Sequence, residues 1–338
     1  MSDASNFKLL LSSYAERTWG ARIAAALPPG CATFITAEAA SVAGSDCPAD
    51  IAFLTREVTG RSSKNHDTPE LTAFQAVLRR SPRLRWLHIH PAGADRAIYT
   101  ELRARGVKVT TSSGATATTV SHTAIGAVLA LARRMPALLD AQRRHAWEPL
   151  LGNPPRDLGG QTAVIVGLGP IGRKIAVLLR ALGVSSIGVR RTAEPVSECD
   201  RTISYAEFPN ALPQAHWLIL CCPLSPLTRG IAGAASFARM PRGAYLVNVS
   251  RGDVAIERDV IAALSSGQLG GAYLDVFERE PLDPASPLWD MPNAMISPHT
   301  ASHSQGLTEF VLEIFLDNLA RWRSGGKLRN DLDDLARE

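Results

Sequence analysis

The feature that most constrains this chain is the run Thr162-Ala163-Val164-Ile165-Val166-Gly167-Leu168-Gly169-Pro170-Ile171-Gly172. An apolar, largely β-branched stretch leads straight into GxGxxG, and a helix-compatible stretch at 173–182 follows at once. In such a turn one glycine allows the tight bend, one lets the backbone approach a pyrophosphate, and one lets the helix pack closely, with the helix N-terminus facing the anion. Gly167, Gly169, Pro170, Ile171 and Gly172 are therefore candidate dinucleotide contacts, and the remaining chain must supply a parallel sheet around them.

The apolar pattern does so. Strands are expected over 162–167, 186–189, 216–222, 244–250, 272–277 and 294–297, with helical stretches between them, which describes a doubly wound sheet. Before it, expected strands at 8–13, 32–36, 51–56, 84–90 and 107–112 alternate with helices near 15–26, 69–80 and 97–105, a first α/β unit ending near residue 113. Residues 119–144 read as one long helix with an apolar face, a candidate hinge between domains, and a last helix is expected at 306–323. A length of 338 residues accommodates two such domains.

Composition narrows the partners. The 36 basic and 32 acidic residues leave +4, and the basic residues are scattered, so nucleic acid is not expected as a partner. The five cysteines, Cys31, Cys47, Cys199, Cys221 and Cys222, follow no metal-ligand or disulfide spacing, which fits a reducing cytoplasm and no metal site. No secretory signal is expected, and the longest apolar run, 124–132, is too short to span a membrane.

A dinucleotide fold that selects NAD usually carries an acid at the end of the strand after the glycine loop. Here that strand ends in Arg190-Arg191-Thr192. Two guanidiniums and a hydroxyl suit a 2′-phosphate through charge-assisted hydrogen bonds, so NADP(H) is expected in preference to NAD(H). Three further segments carry side chains suited to moving a hydride and a proton. Arg251 follows a strand in Asn248-Val249-Ser250-Arg251-Gly252, where its planar fork suits a carboxylate or a polarised carbonyl. Asp275 stands at the next strand end with Glu280 in the loop beyond, and His299 lies just past another strand end in Ser297-Pro298-His299, placed for acid/base work. A carboxylate on the far nitrogen of His299 would orient the ring and favour its protonated form, and Glu280 is the candidate.

With VGLGPIG, CCPLSPLTRG, MPRGAYLVNVSRGDV, GAYLDVFEREPL and SPHTAS in this order, the chain resembles the D-isomer-specific 2-hydroxyacid dehydrogenases, in particular their glyoxylate and hydroxypyruvate reductases. The resemblance covers most of the chain and is strongest from 164 to 301. It implies two Rossmann-like domains, a substrate domain of residues 1–113 and 305–338 and an inserted dinucleotide-binding domain of residues 114–304, with the last helix returning to the first domain. It also implies a homodimer formed largely through the cofactor domains. Carried over, Arg251 binds the substrate carboxylate and carbonyl, His299 is the acid/base, Glu280 orients it, and Asp275 contacts the nicotinamide carboxamide. Cys222, Pro223, Thr228, Val249 and Ser250 fall at cofactor-contacting positions. The segment His90-Pro91-Ala92-Gly93-Ala94-Asp95 is similar to the family's substrate loop, where the backbone N–H groups of Gly93 and Ala94 hold the carboxylate. One departure is Val120-Ser121-His122-Thr123, where the family commonly reads Val-Ala-Glu-His.

The expected activity is NAD(P)H-dependent, reversible reduction of a small 2-ketoacid to its D-2-hydroxy acid, with NADPH preferred. The formate branch of the fold is disfavoured, because it carries glutamine where Glu280 stands. The alternative from another class is a dinucleotide-sensing, corepressor-like binding protein with little turnover. Residues 55–99 and the hinge region are expected to set substrate size.

Overall fold

A computed structural model of the chain describes residues 6–60, 62, 66–94, 96–152 and 154–335. The chain divides into two compact units, Met1–Thr116 with Gln305–Glu338, and Ala117–Ser304, so the second is inserted in the sequence of the first.

The first unit is built on strands β1 (Phe7–Leu11), β2 (Ala32–Thr36), β3 (Ile51–Leu54), β4 (Trp86–Ile89) and β5 (Lys108–Thr111), ordered β2-β1-β3-β4-β5. All neighbours are parallel. The central strands are buried along their whole length because helices cover both faces, which is why they read as nearly continuous apolar runs. The helix Leu307–Arg323 packs on one face, with Phe315 stacked on Phe53 at 4.2 Å and on Trp86 at 5.4 Å. Beside this aromatic stack lies the fully buried His88. Ser112 Oγ gives its proton to Ile89 O (3.1 Å), so His88 Nε2 must donate to Ser112 Oγ (3.0 Å), leaving Nδ1 to accept from Thr110 Oγ1 (2.7 Å). Burial first, and the nearby His90 second, push His88 down to about 3, so it is a neutral, satisfied core residue.

The second unit holds β6 (Thr162–Val166), β7 (Ser185–Arg190), β8 (Arg201–Ser204), β9 (Trp217–Leu220), β10 (Ala244–Asn248), β11 (Leu269–Leu274) and β12 (Ala294–Ile296). These form a parallel sheet ordered β12-β11-β10-β9-β6-β7-β8. The chain starts at β6, winds outward to β8, then returns to β9 and winds the other way. The strand direction of winding therefore reverses between β6 and β9, the crevice where doubly wound sheets take ligands.

Two expectations need correction. The stretch 119–144 is not one helix but two, Ala117–Ala132 and Met135–Arg143, broken at Arg134, whose φ is 56°. Pro136 lies in the first turn of the second helix, where its missing N–H costs nothing, whereas a continuous helix would lose a hydrogen bond there. The second sheet also has seven strands where six were expected, since the edge strand β8 carries a single apolar residue, Ile203. No helix among the described residues is long and apolar enough to cross a membrane.

Candidate active site

The turn after β6 is shaped by backbone proximity. A Cβ on Gly167, whose φ is 104°, would lie 2.7 Å from Cys222 Cα, and one on Gly172 would lie 1.9 Å from Gly167 O. These two glycines are thus required by the close approach of β6, its helix and the end of β9. Gly169 is different: it is exposed, nothing lies within 4 Å of its Cβ position, and no side chain caps the helix Pro170–Ala181 that it starts. The open space and uncapped N–H groups fit a pyrophosphate at this helix end. Pro170 is exposed and Ile171 half-buried beside it.

Cys221 Sγ donates to Gly167 O at 3.1 Å, and burial pushes both neighbouring thiols up, Cys222 to about 12. They stay protonated and serve as packing. Arg190 ends β7 half-buried, with Nη1 3.8 Å from Glu194 Oε2, and Arg191 and Thr192 are exposed just beyond. After β9, Thr228 is buried, its hydroxyl donating to Pro223 O (2.7 Å) and accepting from Ser225 N (2.8 Å). Thr228 therefore shapes the loop that presents Pro223.

The loops expected to carry the proton-handling groups gather because β10, β11 and β12 are neighbours and share one carboxyl edge. Val249 and Ser250 are buried, and Asn248 Oδ1 accepts from Ser250 N (3.1 Å) and Ser250 Oγ (2.8 Å) while its amide donates to Arg251 O (3.2 Å). This turn sets the backbone of Arg251, whose Nη1 donates to Ser250 O at 2.7 Å. A Cβ on Gly252 would lie 1.9 Å from Phe277 C, so the Arg251 loop rests directly on the loop that leads to Glu280. Glu280 Oε1 accepts from Phe277 N (3.1 Å), and Oε2 lies 2.8 Å from His299 Nδ1. The His299 side chain is 46% exposed and Glu280 14%, so the carboxylate is sheltered behind a ring whose other edge is open. With Nδ1 donating to Glu280, Nε2 is the nitrogen left for chemistry.

His299 has a φ of 55°, uncommon for a residue other than glycine. The surrounding bonds impose it. His299 N donates to Asp275 O (2.9 Å), and the buried Asp275 carboxylate accepts from Ser297 Oγ (2.6 Å), Thr300 N (2.8 Å) and Ala301 N (3.0 Å). Burial raises the Asp275 carboxyl, with these donors opposing the shift. Tyr273 donates to Ser297 Oγ at 2.6 Å, and Thr123 Oγ1 donates to Ala301 O at 3.1 Å.

This arrangement can be set beside known proteins. The sequence pattern of the D-isomer specific 2-hydroxyacid dehydrogenase NAD binding domain matches residues 125–301. The chain belongs to this family. A glyoxylate reductase of Korarchaeum cryptofilum is 30% identical over 286 residues, 83% of this chain and 81% of that one. A glyoxylate/hydroxypyruvate reductase B of Klebsiella pneumoniae is 31% identical over 258 residues, 75% of this chain and 80% of that one. Among solved structures, the NADPH-dependent glyoxylate/hydroxypyruvate reductase of Sinorhizobium meliloti in complex with NADP and sulfate superposes with a TM-score of 0.76 at 28% identity, covering 98% of this chain and 99% of that one. The fold is accordingly that of the Rossmann-like 2-hydroxyacid dehydrogenases, and the enzyme is an oxidoreductase of their glyoxylate reductase branch with a nicotinamide-dinucleotide-binding domain.

The enzyme's first unit carries the segment expected to hold substrate. Gly93 and Ala94 follow β4, both half-buried, and neither N–H makes a hydrogen bond among the described residues; Asp95 lies outside them. Ser112 N donates to Pro91 O (3.3 Å), and His90 Nε2 lies 2.9 Å from Thr59 Oγ1, which donates to Arg56 O. Burial and then the Arg56 charge push His90 down to about 4. Reading the sequence did not single out Asn248, Tyr273, Ser297 or Thr123 as positioning residues of the dehydrogenase. Asn248 had a local signal, an amide at a strand end two residues before a serine, which favours such side-chain turns. The other three act across strands or from a distant helix and had none.

Proposed function

We propose that this enzyme reduces a small 2-ketoacid of the glyoxylate or hydroxypyruvate kind to its D-2-hydroxy acid, reversibly and with NADPH preferred over NADH. The observation that carries this reading is His299 Nδ1 at 2.8 Å from the sheltered Glu280, which leaves the exposed ring edge for a proton transfer. The activities for which these relatives are named support the same reading.

In this reading the dinucleotide is bound through Gly167, Gly169, Pro170, Ile171, Gly172, Pro223, Val249, Ser250 and Asp275, with Cys222 and Thr228 shaping the loop that carries Pro223, and the N–H groups of Gly93 and Ala94 take the substrate carboxylate. The bound NADPH supplies the hydride. Arg251 grips the carboxylate and stabilises negative charge growing on the carbonyl oxygen, which fixes the reacting geometry. His299 then gives the proton from Nε2, so reduction needs the protonated ring and oxidation the neutral one. Glu280 holds Nδ1 and keeps the ring's other edge turned outward. Arg190, Arg191 and Thr192 take the 2′-phosphate that distinguishes NADPH. The working enzyme in this reading is a cytoplasmic homodimer.

The test is the initial rate of NADPH and NADH oxidation by the purified chain across 2-ketoacids from glyoxylate to phenylpyruvate. Fast NADPH-dependent turnover of a small member is expected. Dinucleotide binding without turnover of any member would replace this reading with a sensing role.

A further inference from the structure

The first unit has a concave feature at the amino-terminal edge of its sheet, the opposite edge from Gly93 and Ala94. It is a cleft of about 560 Å³, within the range of small-molecule sites. Phe7 opens β1, Lys108 opens β5 and Arg85 immediately precedes β4, while Trp322 and Arg323 come from the last turn of the helix Leu307–Arg323. The loop after that helix closes the far side with Lys327.

Its charges do not cancel. Lys108 Nζ pairs with the buried Asp331 at 3.0 Å, and Lys327 Nζ pairs with Asp334 at 3.3 Å. Two guanidiniums remain. Arg85 lies over the Trp322 ring at 5.4 Å, and its nearest carboxylate, Asp50, is 4.0 Å away and already held by Arg83 at 3.0 Å and by Lys8 N at 2.9 Å. Arg323 is the sharper case, because its Nε is buried with no hydrogen-bond partner. A buried guanidinium N–H without an acceptor is disfavoured, and an oxyanion is the group that satisfies it best.

We infer that this cleft binds a small molecule bearing a phosphate or carboxylate group, which accepts hydrogen bonds from Arg323 and Arg85 together. The inference does not depend on the reaction proposed above, since none of these residues has a part in it. Two cations on separate elements suit a bidentate oxyanion, and the volume leaves room for the organic body attached to it.

The test is isothermal titration calorimetry of the full chain with saturating NADPH, so that the glycine loop is filled, using inorganic phosphate, glucose 6-phosphate and citrate as probes. Binding of one or more probes is expected, weakened about tenfold or more in Arg323→Gln and in Arg85→Gln, with NADPH affinity unchanged in both variants. Tighter binding of glucose 6-phosphate identifies a phosphate ester as the ligand class, and tighter binding of citrate a polycarboxylate. Arg323→Lys, which keeps the charge but not the Nε–H, replaces Arg323→Gln if the latter does not fold. No heat with any probe, or affinities that are the same in the variants and the parent chain, would overturn the inference.

Discussion

His88 and His299 are the same residue in two opposite settings, one in each unit. His88 sits inside the first sheet with both nitrogens bonded to hydroxyls and its protonation suppressed to about pH 3. His299 stands at the carboxyl edge of the second sheet, half-exposed, with one nitrogen on a carboxylate and the other open. The first arrangement spends the imidazole on cohesion. The second fixes one edge of the imidazole and leaves the other exposed. The first unit also leaves the Gly93 and Ala94 N–H groups after β4 without hydrogen bonds among the described residues.

The contrast is broken most severely by removing the exposed ring. His299→Gln should lower ketoacid turnover about a hundredfold or more with dinucleotide affinity retained, measured by steady-state rates and NADPH titration. Near-parental turnover would strip His299 of its role. A smaller effect is expected at the end of β7, where Arg190→Asp should cut the NADPH-to-NADH ratio of kcat/KM by about tenfold or more, since a charge-assisted bond is lost and a repulsion gained. An unchanged ratio would leave cofactor choice to other residues.

The buried histidine is read by stability. His88 is neutral in the fold down to about pH 3, and an unfolded imidazole takes up its proton near 6.5, so its contribution is complete above pH 6.5 and lost as pH falls toward 3. His90, pushed down to about 4, acts in the same direction. Each should add about 1.4 kcal/mol of destabilisation per pH unit within its window, measured as urea midpoints between pH 7 and 5. His88→Asn should remove its share of that slope, about half, and leave that of His90, while turnover per folded molecule stays close to parental. The mildest effect belongs to Ser297→Ala, which removes the donor that links Tyr273 to Asp275. It should lower kcat a few-fold and leave KM for NADPH nearly unaltered; a parental kcat would show that the Thr300 and Ala301 amides suffice to hold the His299 loop.

Much of this was legible in the residues themselves. The strand at 162–167, the glycine turn and the strand ends bearing Arg251, Asp275 and His299 all announce themselves through apolar runs that stop abruptly at polar or glycine residues. The break at Arg134 was less visible, because one proline near the start of a helix looks like one in its interior until the backbone is known. The strand β8 was hidden for another reason: an edge strand needs one buried face, and four residues with a single apolar side chain carry too little pattern.

By itself the sequence determined the class of the fold and singled out the candidate reactive groups, since both depend on local chemistry: strand-forming runs, a turn only glycine can make, and side chains that carry charge or protons. What only the tertiary structure decided is which groups meet. Glu280 and His299 are 19 residues apart in the chain and become partners because β11 and β12 are adjacent, and Gly252 brings the Arg251 loop onto Phe277 because a side chain there has no room. Asp275, expected from the resemblance to contact cofactor, also accepts the backbone and hydroxyl donors that hold His299 at a positive φ. Such cross-strand bonds depend on register and packing, which are properties of the assembled sheet and leave no periodic trace in the order of residues.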